Sequence, residues 1–149
     1  MTISQTIISI DPGREKCGIA VVHKEKGVLK QAIIDTINLA TTIEQLTSSY
    51  HIETIIMGDG TSSKDAKKTL EKIKDIDQSI TLILVDEYRT TDEGRLRYWR
   101  ENPPKGLKRL IPVTMQVPPC PVDDYVAVIL AERYFLMNKQ VLNENITKT

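Results

Sequence analysis

Three acids or acid pairs in this 149-residue chain stand at the ends of structured segments: Asp11, Asp86-Glu87 and Asp123-Asp124. Carboxylates converging from separate elements of an open α/β sheet bind hard divalent cations through oxygen, and such a set suits Mg2+ or Mn2+. Each acid also has an ordinary structural use. Asp11 precedes Pro12-Gly13 and fits a turn, Asp123 fits the N-cap of a helix, and Asp124 is favourable against that helix's dipole. Asp86 and Glu87 are adjacent in an extended segment, so their side chains point to opposite faces and at most one enters a given site. The combination at three element ends is what singles them out.

A second signal is where the positive charge falls. Lysine plus arginine and aspartate plus glutamate number twenty each, so the net charge is zero and says nothing for a polyanionic partner. From Arg89 to Arg109, however, seven basic residues (Arg89, Arg95, Arg97, Arg100, Lys105, Lys108 and Arg109) face three acids (Asp92, Glu93 and Glu101). A basic segment beside a carboxylate cluster is what draws a polyanion to a negatively charged metal site; by itself, the same segment is also an ordinary solvated helix and loop. Cys17 and Cys120 lie far apart without partners at metal-ligand spacing, which argues against a disulfide framework and a zinc site. His23 and His51 flank strands without an acid or cysteine at useful spacing, and neither receives a catalytic role. No apolar run approaches ~18 residues, and the first residues lack the pattern of a secretory leader, so the expected location is cytoplasmic.

These residues need a scaffold. Residues 6–10 and 19–22 are β-branched and apolar around a turn-forming Asp-Pro-Gly, and a third strand is expected over 28–37 after Gly27, giving an antiparallel meander. Thr41 or Thr42 is placed to cap a helix through Tyr50, with Ile43 and Leu46 on one face. Residues 54–57 read as a buried strand ending at Gly58-Asp59-Gly60. Ser62 or Ser63 opens a helix bearing Ala66, Leu70, Ile73 and Ile76, and residues 80–85 read as a strand buried on both faces. Two βα alternations imply a parallel half to the sheet. Thr90 or Thr91 caps a helix that Pro103-Pro104 must end, the prolines of 112–121 keep that stretch irregular with Leu110 and Ile111 as anchors, and Val122, Val126, Ile129, Leu130, Tyr134 and Met137 form one stripe of a final helix. The chain length suits one domain, 1–138, followed by a frayed polar tail, 139–149.

Three segments in this order, Ile8-Ser-Ile-Asp-Pro-Gly-Arg-Glu-Lys-Cys-Gly-Ile-Ala20, Val85-Asp-Glu-Tyr-Arg-Thr-Thr91 and Val122-Asp-Asp-Tyr-Val-Ala127, resemble the motifs of the YqgF/RuvX family of RuvC-like nucleases. The resemblance implies an RNase H-like α/β fold, a five-stranded mixed sheet with helices on both faces. It assigns the first carboxylate to Asp11 and the second to Glu87. The third is Asp124, counting back from Ala127, or Asp123, counting back from Tyr134-Phe135, with Asp124 ranked first. Tyr88 stands where the family pattern has arginine, with Arg89 next, and Asp59 stands where it often has proline.

The implied chemistry is hydrolysis of a phosphodiester bond with two divalent ions about 4 Å apart. Arg14 and Lys16 are placed to hold neighbouring phosphates, with Arg89, Arg95, Arg97 and Arg100 as a longer track. Tyr98 and Trp99, within the basic helix, are either core or a stacking platform for an unpaired base. The implied role is 5′-end maturation of precursor 16S ribosomal RNA, with that RNA as partner. Holliday-junction resolution and non-catalytic nucleic-acid binding are the alternatives, and a homodimer is compatible with each. An actin- or Hsp70-like ATPase also begins with a strand, an aspartate and glycines, but it needs two related domains, for which the chain is too short.

Overall fold

The structure, a computed structural model, describes residues 5–60 and 63–147. Its elements run β1 (Thr6–Asp11), β2 (Lys16–His23), β3 (Gly27–Asp35), α1 (Leu39–Tyr50), β4 (Thr54–Gly58), α2 (Ser63–Ile76), β5 (Thr81–Val85), α3 (Thr90–Glu101) and α4 (Asp123–Thr147). The strands form one sheet in the order β3-β2-β1-β4-β5. β1 pairs antiparallel with β2, and β2 with β3; β1 and β4, and β4 and β5, pair in parallel. This is the expected mixed sheet. Among the described residues no helix is long and apolar enough to cross a membrane.

Alternation along β1 sorts side chains between two cores. Ile8 and Ile10 join Ile43, Leu46, Leu70 and Ile73 of α1 and α2 on one face. Ile7 joins Val126, Ala127, Leu130 and Tyr134 of α4 on the other. Each fully buried aliphatic side chain contributes about 1.5–3 kcal/mol, so both faces are strongly held. Ser9 and Asp11 share the parity of Ile7 and therefore belong to the α4 face. Residues 126–131 of α4 are buried all round because the sheet lies on one side of the helix and α3 packs on the other.

Several local expectations give way to tertiary context. β5 is an edge strand, not one buried on both faces, and Leu84 is 43 % exposed. β3 ends at Asp35, a 3-10 turn over Thr36–Asn38 follows, and α1 begins at Leu39, so neither Thr41 nor Thr42 caps it. Ser62 lies outside the described residues, whereas Ser63 is the first residue of α2. Thr90 is the first residue of α3, and its cap position falls on Arg89 in the left-handed region, φ 58. His51 also takes a positive φ, 54, as the C-cap of α1. Leu110 and Ile111 are 83 % and 44 % exposed, so their side chains do not anchor the proline-rich strap; buried Pro118 does, helped by the Gln116 amide, which donates to the carbonyls of Lys108 and Ile111 at 3.0 and 2.9 Å. Met137 leaves the buried stripe at 46 % exposure. The segment expected to fray after Asn138 is helical through Thr147. Its lysine, glutamine, leucine and glutamate are good helix formers, and extending a helix already nucleated by its buried half costs little.

Candidate active site

Asp11 is the last residue of β1, on the α4 face, directly opposite Gly18 of β2. A side chain at Gly18 would collide with the backbone carbonyl of Asp123. The bare glycine thus lets the N-terminus of α4 rest on the sheet beside Asp11. Val122 contributes the carbonyl that accepts from Val126 N–H at 2.9 Å, the first bond of the helix, so it takes the cap position expected of Asp123.

Glu87 lies two residues beyond β5, and its carboxylate rests on Gly58 and Gly60, where any Cβ would strike its two oxygens. The Gly60 backbone N–H donates to it. Gly58 ends β4, the strand beside β1, so this cradle carries Glu87 from the edge of the sheet toward Asp11. Asp86 is exposed and turned away, its Oδ1 accepting from Tyr88 N–H at 3.1 Å. Asp86 and Glu87 both lie beyond the end of β5, so it is the local turn and the glycine cradle, not strand alternation, that separate their side chains.

The acids act on one another through charge. Asp11 is pushed up from 3.8 to about 7, first by burial and then by the negative charges of Asp123 and Glu87. Glu87 is also raised, by burial foremost, against the lowering effect of the Gly60 bond and with help from Asp59 and Asp86. Asp123 is raised by burial and by Asp124. This is the signature of carboxylates crowded without a compensating cation. Among the described residues no three His, Cys, Asp or Glu side chains close into a group able to hold an ion as placed, so the acids are neighbours but not a finished cage.

Asp123 and Asp124 differ. Asp123 is the one whose charge acts on Asp11. Asp124 accepts from Gln31 Nε2 of β3 at 2.9 Å through Oδ2, while its Oδ1 is buried without a donor among the described residues. An anionic oxygen withdrawn from water without a hydrogen-bond donor is costly, and a cation is its natural partner. The oxygen-only donor set and this orphaned atom both fit a hard divalent ion.

The basic residues do not form one uniform track. Arg14 is exposed in the turn after Asp11, whereas Lys16 pairs with Asp35 at 3.6 Å with both side chains in solvent. The Arg89 guanidinium lies over the Tyr88 ring, 5.5 Å from its centroid. Arg97, 22 % exposed, is engaged by Glu132 of α4 and by Glu101 at 3.5 Å; Arg100 is exposed. The two do not act alike despite their helical spacing. Arg95 is exposed and, among the described residues, has no acid partner; it lines the same hollow as Asp123. Tyr98 packs edge-on to Trp99 and Tyr125, with centroids 5.1 and 5.6 Å away, and all three rings are half-buried.

One supporting residue carries no sequence signal. Arg133 of α4 donates to the Asp86 carbonyl at 3.0 Å and pairs with Glu93 of α3 at 3.1 Å, tying the segment that bears Glu87 to the helix that bears Asp123. It stands 47 positions from Asp86, and only packing brings them together. Thr90 adds a local brace, its hydroxyl donating to the Glu87 carbonyl at 2.8 Å.

Residues 5–91 match the family model described as the Tex protein YqgF-like domain, a span that includes Asp11 and Glu87 and ends before the third acid. No curated protein matches the chain. Among solved structures, RuvC of Thermus thermophilus superposes with a TM-score of 0.54 at 12 % identity, covering 85 % of this chain and 90 % of its own. The Fowlpox virus resolvase, solved with substrate Holliday junction DNA, superposes with a TM-score of 0.58 at 13 % identity, covering 89 % and 97 %. At such identities the likeness establishes the fold, which is RNase H-like.

Proposed function

The chain belongs to the family of YqgF-like domains, and from that premise we propose that it is a RuvC-like nuclease, a metal-dependent endonuclease acting on phosphodiester bonds. The observation that carries the reading is the convergence on one sheet face of carboxylates from three elements, crowded enough to raise Asp11 to about 7. Asp11, Glu87 and Asp123, with Asp124 beside them, are the residues that would hold Mg2+ or Mn2+. Bound there, the ions would supply an activated water and charge stabilisation of the leaving oxygen.

The chain's own part is positioning. Gly58 and Gly60 hold both Glu87 oxygens in place, Gly18 admits α4 to the sheet, and Arg133 locks the two acid-bearing segments together. Arg14, exposed in the turn that follows Asp11, is suited to hold a flanking phosphate. The expected substrate is precursor 16S ribosomal RNA at its 5′ end. The second reading is a four-way DNA junction, favoured by the Fowlpox virus resolvase solved with that substrate. Cleavage of the two substrates, measured side by side with Mg2+, Mn2+ and EDTA, tests both. Cleavage of neither in any metal, with binding intact, would leave a non-catalytic nucleic-acid-binding protein.

A further inference from the structure

Between α3 and the proline-rich strap lie two hollows of about 440 and 410 Å3. They adjoin at Arg95 and Val117, which line both, and together they make a groove whose one half is lined by Asp123 and the other by Trp99. Both volumes fall in the roughly 300–1,000 Å3 range in which small molecules are bound. The strap wall is stiff: Pro118 is buried, Pro119 and Pro121 follow it, and Gln116 is pinned to two carbonyls.

The lining suits a nucleotide. Arg95 is the α3 cation that lies in the groove with no acid partner among the described residues, unlike Arg97, which is spent on Glu101 and Glu132. Trp99 Nε1 is withdrawn from solvent, so what its ring offers the groove is carbon surface suited to a base. Asp92, Arg95 and Trp99 follow one another at helical spacing along α3, so the cation lies between the acid and the ring; the phosphate belongs at Arg95 and the base one turn further on, at Trp99. We propose that this groove seats one unpaired nucleotide of the strand held at the acid site, its phosphate on Arg95 and its base against Trp99. This rests on the nucleic-acid reading above and specifies that the strand leaves the site single-stranded.

Trp99 is the sole tryptophan of the chain, so its fluorescence reports on this groove alone. The intact protein is titrated in EDTA, where cleavage is excluded, with a labelled single-stranded oligonucleotide as RNA and as DNA, and with a blunt duplex of equal length. Tryptophan emission and label anisotropy are read together. Expected is a saturable change in Trp99 emission with the single strands and none with the duplex; whichever single strand binds more tightly identifies the source. Arg95→Ala should weaken binding about tenfold at low salt and reduce the salt slope by about 0.7. Trp99→Leu should weaken it about fivefold or more, while Trp99→Phe, which keeps a ring, retains most of the affinity. Lys74→Ala, on α2 at the opposite face, should change nothing. Single strands that bind by anisotropy with Trp99 emission unchanged and Arg95→Ala without effect would overturn the groove and leave the nuclease reading standing. An equal emission change with duplex would overturn it too. Groove binding without cleavage of any substrate would keep the groove and remove the nuclease.

Discussion

The two faces of β1 are built from the same strand to opposite ends. On the α1–α2 face, Ile8 and Ile10 belong to a wholly apolar cluster and are fully buried. On the α4 face, Ile7 is followed by Ser9, whose buried hydroxyl has no partner among the described residues, and then by Asp11, crowded by two other acids. One face supplies stability, and the other carries a polar, repulsive cluster that the first must sustain. Functional sites are where local energetic consistency is given up, and the two-residue period of the strand confines that cost to one side.

The sharpest way to break this contrast is Asp11→Asn. It keeps shape and removes charge, so cleavage in Mg2+ should fall by about a thousandfold or more, equivalent to about 4 kcal/mol of transition-state stabilisation. Strand binding in EDTA should persist. Single-turnover cleavage beside anisotropy separates the two, and retained metal-dependent cleavage would remove Asp11 from the mechanism. Asp123→Asn and Asp124→Asn, compared in the same assay, assign the third position: the larger loss is expected at Asp123, because its charge is the one that reaches Asp11.

Next in size is the apolar face. Ile10→Ala should destabilise the fold by about 2–5 kcal/mol through lost burial and the cavity left behind, read from the denaturant midpoint. A loss below about 1 kcal/mol would mean that this face is not closely packed.

Asp11→Asn should have the reverse effect on the metal-free fold. Asp11's folded-state value of about 7 lies above its ordinary 3.8, so between these values the native state holds a proton that the unfolded chain has lost. Stability therefore falls as pH rises through that window, and the penalty is complete above it. In EDTA at pH 8 the asparagine variant should be more stable by on the order of 2 kcal/mol, after allowance for partial solvent screening, and the difference should vanish below about pH 4. Mg2+ should raise the melting temperature of the wild type more than that of the variant. A pH-independent difference would mean that Asp11 is not under electrostatic pressure.

The smallest effects should separate Arg97 from Arg100. Arg97→Ala removes one ion pair to α4 and one within α3 and should cost about 1 kcal/mol or less in stability with little change in the salt dependence of binding. Arg100→Ala should leave stability within about 0.5 kcal/mol, and any effect should appear in the salt slope. Equal salt-slope changes in both would restore the uniform track that their spacing suggests.

Much of this architecture was legible in the chain because it depends on local periodicity. Alternation over residues 6–10 and 19–22, the Asp-Pro-Gly turn and the βα units at 54–76 specify antiparallel strands followed by parallel ones, since backbone geometry couples each pattern to one conformation. The acids at Asp11, Glu87 and Asp123-Asp124 stood out for the same reason: each interrupts or follows a periodic run. Contacts across the fold decided the rest. That β5 is an edge depends on what lies beyond it, and that Arg97 is occupied depends on Glu132, an α4 residue that no local pattern links to α3. Arg133 reaches Asp86, and Glu87 reaches two glycines of another strand, only because the sheet order and the packing of α4 bring distant segments together. Short-range pattern determines which elements form and which way their side chains alternate. Which charges meet is a property of three-dimensional packing, because electrostatic and hydrogen-bond partners are chosen by distance in space and not along the chain.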